Sequence, residues 1–158
     1  MKLLPKRWKK EDIAYQMSEV EKSLLDNDIL SEIIKRVNFR IINKANTYLN
    51  QFDKYIISAI TVMEIVEGWQ KRQQEQRLQE LLTILALQEI LPFDLAEAVL
   101  AGKMYADLET TGKRIGYRDC TIAAIAIRHN LTLVTGNLSH YQRIQDLGYS
   151  LRLDNWRL

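Results

Sequence analysis

Short apolar runs alternate with helical stripes along almost the whole chain, and that alternation narrows the possible folds more than any other feature. Residues 22–25, 55–57, 89–91, 131–134 and 149–153 read as strands, several of them closed by polar or turn residues such as Asp26, Ser58, Pro92 and Thr135-Gly136-Asn137. Between them, apolar residues recur at helical spacing. Ile29, Leu30, Ile33, Ile34 and Val37 make one stripe over 29–37, with Asp28 at its N-cap, and a second helix covers 39–49. Val62, Ile65, Val66 and Trp69 line one side of a helix after Ser58, with Glu64 and Glu67 on the other; Leu78, Leu81, Leu82 and Leu85 do the same within 73–87. Asp94 caps a long helix over 95–110 that ends at Thr111-Gly112, and residues 120–127 are so apolar that they must be buried on most sides. Short strands joined through helices pair in parallel, with right-handed crossovers, so the expectation is an α/β fold whose parallel sheet is covered on both faces.

With 158 residues the chain suffices for one domain with a good core, taken here as 21–158. Residues 1–20 differ from the rest: Lys2, Lys6, Arg7, Lys9 and Lys10 crowd around Pro5 and Trp8 with no acid before Glu11. They read as a mobile basic arm; a nucleic-acid-touching arm, or a true start at Met17, are the alternatives. The segment lacks the apolar middle of a signal peptide, and Glu11 and Asp12 argue against a transit peptide. A single cysteine, Cys120, excludes an internal disulfide and fits a reducing, cytoplasmic setting. Together with His129 and His140 it cannot furnish the usual zinc ligand set. No apolar run approaches the roughly 20 residues of a membrane span, and a net charge of +2 is too slight to announce nucleic-acid binding, so such a role would rest on local clusters.

The polar residues that follow the strands carry the chemistry. Asp26 closes the first strand, Ser58 and then Glu64 follow the second, Thr135 and Asn137 follow the fourth, and Asp119 opens the helix that leads into the fourth. Carboxyl ends of parallel strands share one edge of the sheet, where ligands bind, so three carboxylates from distant parts of the chain can converge there. Such a cluster is self-repulsive, and a divalent cation with oxygen ligands, Mg²⁺ or Mn²⁺, is the usual resolution. Each acid taken alone has a plainer explanation. Asp26 and Asp28 suit a helix cap and its neighbour, Thr61-x-x-Glu64 suits a capping box, and Asp119 suits an N-cap or an ion pair with Arg114 or Arg118. Asn137 and Ser139 suit a turn and cap, Cys120 and Met63 the core, and Trp69 packing.

Three blocks then match a known pattern: SLLDNDILSEII, ISAITVMEIVEG, and IGYRDCTIAAIAIRHNLTLVTGNLSHYQRI followed by DNW. In this order and spacing, from about Ser23 to Trp156, the sequence resembles the PIN-domain ribonucleases of the VapC toxin type. The resemblance implies a three-layer α/β/α sandwich with a central, mainly parallel sheet, and an acidic cluster that binds one or two divalent metals. Carried over by position, the metal-binding and catalytic acids are Asp26, Glu64 and Asp119, with Asp28, Ser58, Thr135 and Asn137 in support. Many relatives carry a fourth acid in the turn after T-x-N; here the chain reads Leu138-Ser139-His140-Tyr141, which puts a second metal in question. The implied activity is metal-dependent endoribonuclease action on RNA as the toxin of a bacterial toxin–antitoxin pair, with a cognate antitoxin over or in the acidic cleft and a homodimeric assembly. Lys113, Arg114 and Arg118, beside Asp119, are candidates for RNA phosphate contacts, with plain surface solvation as the alternative.

Two other readings stand beside this one. An apolar strand ending in D-x-D also opens haloacid-dehalogenase-like phosphotransferases, in which Asp26 would be a nucleophile, although no later lysine and paired acids follow in suitable order. A catalytically inactive PIN-like module that only binds RNA or a partner is the other.

Overall fold

A computed structural model describes residues 20–158. The basic arm expected over 1–20 lies outside the described residues except for Val20, which is buried. Five parallel strands form one sheet: β1 (Ser23–Leu25), β2 (Ile56–Ser58), β3 (Glu89–Leu91), β4 (Thr132–Val134) and β5 (Arg152–Asp154). Seven helices among the described residues connect them: α1 (Asn27–Lys35), α2 (Phe39–Phe52), α3 (Ala59–Lys71), α4 (Glu75–Leu85), α5 (Leu95–Thr110), α6 (Tyr117–Arg128) and α7 (Leu138–Asp146).

Alternate strand residues point to opposite faces, and each face feeds a separate core. Leu24, Ile56 and Leu133 face Met104, Leu108, Ile122, Tyr141 and Ile144, which come from α5, α6 and α7. Their neighbours Leu25, Ile57 and Val134 face Ile29, Ile41, Tyr48, Ile65 and Leu81 from α1 to α4, with Trp156 closing the layer. The expected three-layer sandwich is therefore present. β1, β2 and β4 are buried throughout, which is why their sequences are nearly continuous apolar runs rather than alternations. The outer strands β3 and β5 carry exposed residues.

Strand order is β3-β2-β1-β4-β5. The chain adds β2 and β3 on one side of β1, then returns to add β4 and β5 on the other. The switch point thus falls between β1 and β4, where the crevice at the carboxyl edge of an α/β sheet opens.

Several local expectations shift. The first helix is capped by Asp26, whose carboxylate accepts from Asn27 N at 2.8 Å, so Asp28 lies within the first turn of the helix rather than at its cap. Ser58 caps α3, accepting from Thr61 N at 2.9 Å, so Thr61 and Glu64 do not form a capping box. Met63 is 47% exposed and not core, whereas Cys120 is core as expected. The last strand lies later than expected, at Arg152–Asp154, and α7 was not anticipated. No helix among the described residues is long and apolar enough to cross a membrane.

Candidate active site

At the switch point, Asp26 N donates to Val134 O at 3.0 Å, prolonging the β1–β4 ladder by one residue and fixing where the Asp26 carboxylate emerges. That carboxylate is buried. Its Oδ2 accepts from Thr135 Oγ1 at 2.8 Å and from the Tyr141 hydroxyl at 3.3 Å. The same Tyr141 hydroxyl lies 3.4 Å from Asp119 Oδ1, so a single phenol ties the end of β1 to the first turn of α6. Asp119 Oδ2 is 3.0 Å from His140 Nδ1. Glu64, on α3, keeps its side chain 18% exposed and faces Arg118 Nη1 at 3.9 Å rather than standing free on the outer side of its helix.

Like charge and burial act together here. Burial pushes the Asp26 carboxyl up to about 6; the Thr135 hydroxyl opposes that rise, and the charges of Asp28 and Asp119 add to it. Burial also raises Glu64, with the charge of Asp26 next in weight and Arg118 pulling the other way. Burial holds the Tyr141 phenol well above its ordinary range, so it keeps its one proton to donate to either carboxylate. Asp26, Glu64 and Asp119, separated widely in sequence, therefore feel one another as a single acidic cluster.

Among the described residues, no three His, Cys, Asp or Glu side chains stand close enough together to make a ready-built metal cage. The donor set nonetheless suits a hard divalent ion. Mg²⁺ is commonly held by one or two carboxylates, keeps several waters, and takes further oxygens from substrate phosphates rather than from an all-protein cage. Carboxylates whose ionisation is opposed by burial and by one another are the groups such a cation relieves.

The supporting residues divide into two groups. Thr135 touches Asp26 directly, and its Oγ1 accepts from Asn137 N at 3.0 Å, so it orders both the carboxylate and the start of α7. Ser58 works at a distance, setting the start of the helix that carries Glu64 through its bond to Thr61 N and a 3.0 Å contact between the two hydroxyls. Asp28 is engaged by other partners: its Oδ2 accepts from Gly136 N at 2.9 Å and lies 3.1 Å from Arg157 Nη2. Of the three basic candidates, only Arg118 reaches the cluster, braced by Glu67 at 2.5 Å. Lys113 pairs with Asp146 at 3.8 Å and Arg114 with Glu109 at 2.7 Å, both outside it. His140 and Tyr141 are the site residues not singled out from the sequence. The signal for them was available, since Tyr141 and Ile144 form an i, i+3 apolar pair just after Asn137.

The description "PIN domain" fits residues 18–145 of the chain. This protein is a member of the PIN-domain family. It is 32% identical over 136 residues to Ribonuclease VapC2 of Haemophilus influenzae, a match covering 85% of this chain and 98% of that one. It is 31% identical, with the same coverage, to the tRNA(fMet)-specific endonuclease VapC of Shigella flexneri. Among solved structures, it is similar to the crystal structure of VapBC2 from Rickettsia felis bound to a DNA fragment from their promoter, with a TM-score of 0.72 and 30% identity over 85% of this chain and 98% of that chain.

Proposed function

We propose that this PIN-domain protein is an endoribonuclease, the toxin of a toxin–antitoxin pair, and that Asp26, Glu64 and Asp119 hold a Mg²⁺ or Mn²⁺ ion with which it hydrolyses RNA phosphodiester bonds. The observation that supports it best is the Tyr141 hydroxyl within reach of both Asp26 and Asp119, because it brings acids from opposite ends of the sequence to one place at the switch point. An ion held there by Asp26, Glu64 and Asp119 would supply charge neutralisation for the phosphate and a more acidic water. The protein's own residues do the rest. Thr135 and Tyr141 orient Asp26, His140 and Tyr141 orient Asp119, and Arg118 offers a positive guanidinium to a substrate phosphate at the edge of the cluster. Likeness to a tRNA(fMet)-specific endonuclease makes tRNA the first RNA to try.

The partner would be a cognate antitoxin, as in the VapBC relatives. An apolar groove of about 410 Å³ between α1, α2 and α4, lined by Ile33, Ile34, Ile42, Leu49 and Ile84, suits an amphipathic segment of such a partner. A homodimer is also part of this reading; Leu95 and Val99, exposed one turn apart on α5, offer it an apolar contact. The phosphotransferase alternative needs Asp28 beside Asp26, yet Asp28 is engaged by Gly136 and Arg157.

The decisive experiment incubates purified, antitoxin-free protein with total RNA and with tRNA in Mg²⁺ or Mn²⁺, with and without EDTA, alongside Asp119→Asn. Cleavage that needs metal and Asp119 is the expected result. RNA left intact by folded wild type would leave the inactive-module reading standing, and equal metal-dependent cutting by Asp119→Asn would remove Asp119 from the site.

A further inference from the structure

Tyr117 opens α6 two residues before Asp119, and its side chain stands out in solvent at 69% exposure. It is not loose. Its ring stacks on Tyr105 of α5 with centroids 3.8 Å apart and planes 12° from parallel. A ring with one face covered by a parallel neighbour and most of its surface still exposed leaves its second face open to solvent. Neither core of the fold includes Tyr117; its ring packs on Tyr105, which itself lies against the core.

We propose that the Tyr105–Tyr117 stack is a nucleobase platform, on whose open face an unpaired base of the RNA substrate stacks while a phosphate further along the same strand lies in the acidic cleft. The inference rests on the ribonuclease reading above and adds a substrate subsite to it. Position supports it first: Tyr117 and Asp119 share the first turn of one helix, about 3 Å apart along its axis and roughly 200° apart around it, with Arg118 between them, so a strand that crosses the N-terminal end of the helix can meet both. Rigidity supports it next. A base loses little by stacking on a ring already fixed by a helix and a second ring, which is how single-stranded RNA is commonly gripped. Charge points the same way, because Arg118, the next residue, carries the guanidinium that reaches the edge of the acidic cluster. An apolar protein partner would gain from the ring alone; a nucleic acid strand gains from the ring and the cation together.

The test measures affinity in Mg²⁺ for a labelled single-stranded RNA, with cleavage prevented by Asp119→Asn in every protein compared, for the otherwise wild-type chain, Tyr117→Ala and Tyr117→Phe. Loss of one stacked base predicts roughly 5- to 150-fold weaker binding by Tyr117→Ala, with Tyr117→Phe within about 2-fold of wild type. The salt dependence of binding stays unchanged, because no phosphate contact is lost. An oligonucleotide series with one abasic site at each position then contains one member that wild type and Tyr117→Ala bind equally. Equal binding of the intact RNA by wild type and Tyr117→Ala overturns the platform, as does an equal loss in Tyr117→Phe. A Tyr117→Ala protein whose sedimentation shows a smaller assembly also overturns it, since the open face would then be a contact between copies. If wild type cuts RNA but Tyr117→Ala is indifferent, only the platform fails; if wild type neither binds nor cuts RNA, the ribonuclease reading fails with it.

Discussion

Thr135 Oγ1 donates to Asp26 Oδ2 at 2.8 Å, joining the carboxyl ends of β1 and β4 across the switch point of the sheet. This bond favours the ionised carboxylate against the burial that opposes it. Thr135→Val keeps the shape, removes the donor and also leaves Asn137 N without its acceptor. Its expected effect is a 10- to 100-fold loss of divalent-metal affinity and of RNA cleavage, about the usual cost of removing a group that orients a ligand. Thr135→Ser restores most of both. Calorimetric titration with Mn²⁺ checks the first, and equal affinity in Thr135→Val and wild type would count against Asp26 as a ligand.

Asp26 gives a pH prediction with a definite sign. Its carboxyl rises from the ordinary 3.8 to about 6 in the metal-free fold. The protonated form is therefore the one the fold prefers. Well below pH 4 the group costs nothing; as pH climbs through about 6, ionisation costs the fold up to about 3 kcal/mol. Asp26→Asn removes that cost, keeps a good helix cap and should abolish cleavage. In EDTA, urea unfolding should find it more stable than wild type by about 1–3 kcal/mol at pH 8, with the difference vanishing near pH 4. A destabilised Asp26→Asn at pH 8 would contradict this account.

Arg118 and Lys113 should behave differently although both flank Asp119 in sequence. Arg118 lies 3.9 Å from Glu64, whereas Lys113 pairs with Asp146. Arg118→Ala is expected to weaken RNA binding and to lower the magnitude of its logarithmic salt slope by about 1, the mark of one lost phosphate contact. Lys113→Ala should leave both nearly unchanged. Affinity measured across a series of salt concentrations decides, and identical slopes for the two variants would deny Arg118 its role.

Much of this was legible in the sequence because it depends on local chemistry. The buried central strands β1, β2 and β4 declare themselves as apolar runs that end in Asp26, Ser58 and Thr135, and parallel pairing alone sends those three residues to one edge. What escaped depends on partners far away in the chain. Glu64 reads as one of the three acids from its place after the second strand, yet its spacing with Glu67 reads as an outer helix face, and it is the packing of α3 near α6 that turns it towards the acids. The helix α7 has only Leu138, Tyr141 and Ile144 as apolar residues, so its pattern is faint, and the roles of Tyr141 and His140 are hidden with it. Strand order, which defines the cleft, has no local signature at all.

Gly136 should resist substitution for a steric reason. A Cβ added there would lie 1.5 Å from Arg157 Nη1 and 2.6 Å from Asp28 Oδ2. Those two groups meet over the glycine: Arg157 bonds Glu32 through Nε at 2.7 Å and reaches Asp28 at 3.1 Å, and Asp28 in turn accepts from Gly136 N. Gly136→Ala must evict the guanidinium, which is a flexible end, and also shift the Asp28 carboxylate, which holds the loop between Thr135 and Asn137. A cost of about 1–3 kcal/mol is expected, the usual range for one methyl forced into a filled space. Arg157→Ala alone should cost about 1 kcal/mol or less, because its ion pairs are partly exposed. The double variant should then lose less than the sum of the two single losses, since the methyl finds the guanidinium's space vacated and has only the Asp28 carboxylate left to shift, and urea unfolding of all four proteins measures that coupling. Strict additivity of the two losses would show that Arg157 is not what the methyl displaces. RNA cleavage should follow the same order, because a loop that no longer holds Thr135 against Asp26 loosens the residue on which the acidic site is built.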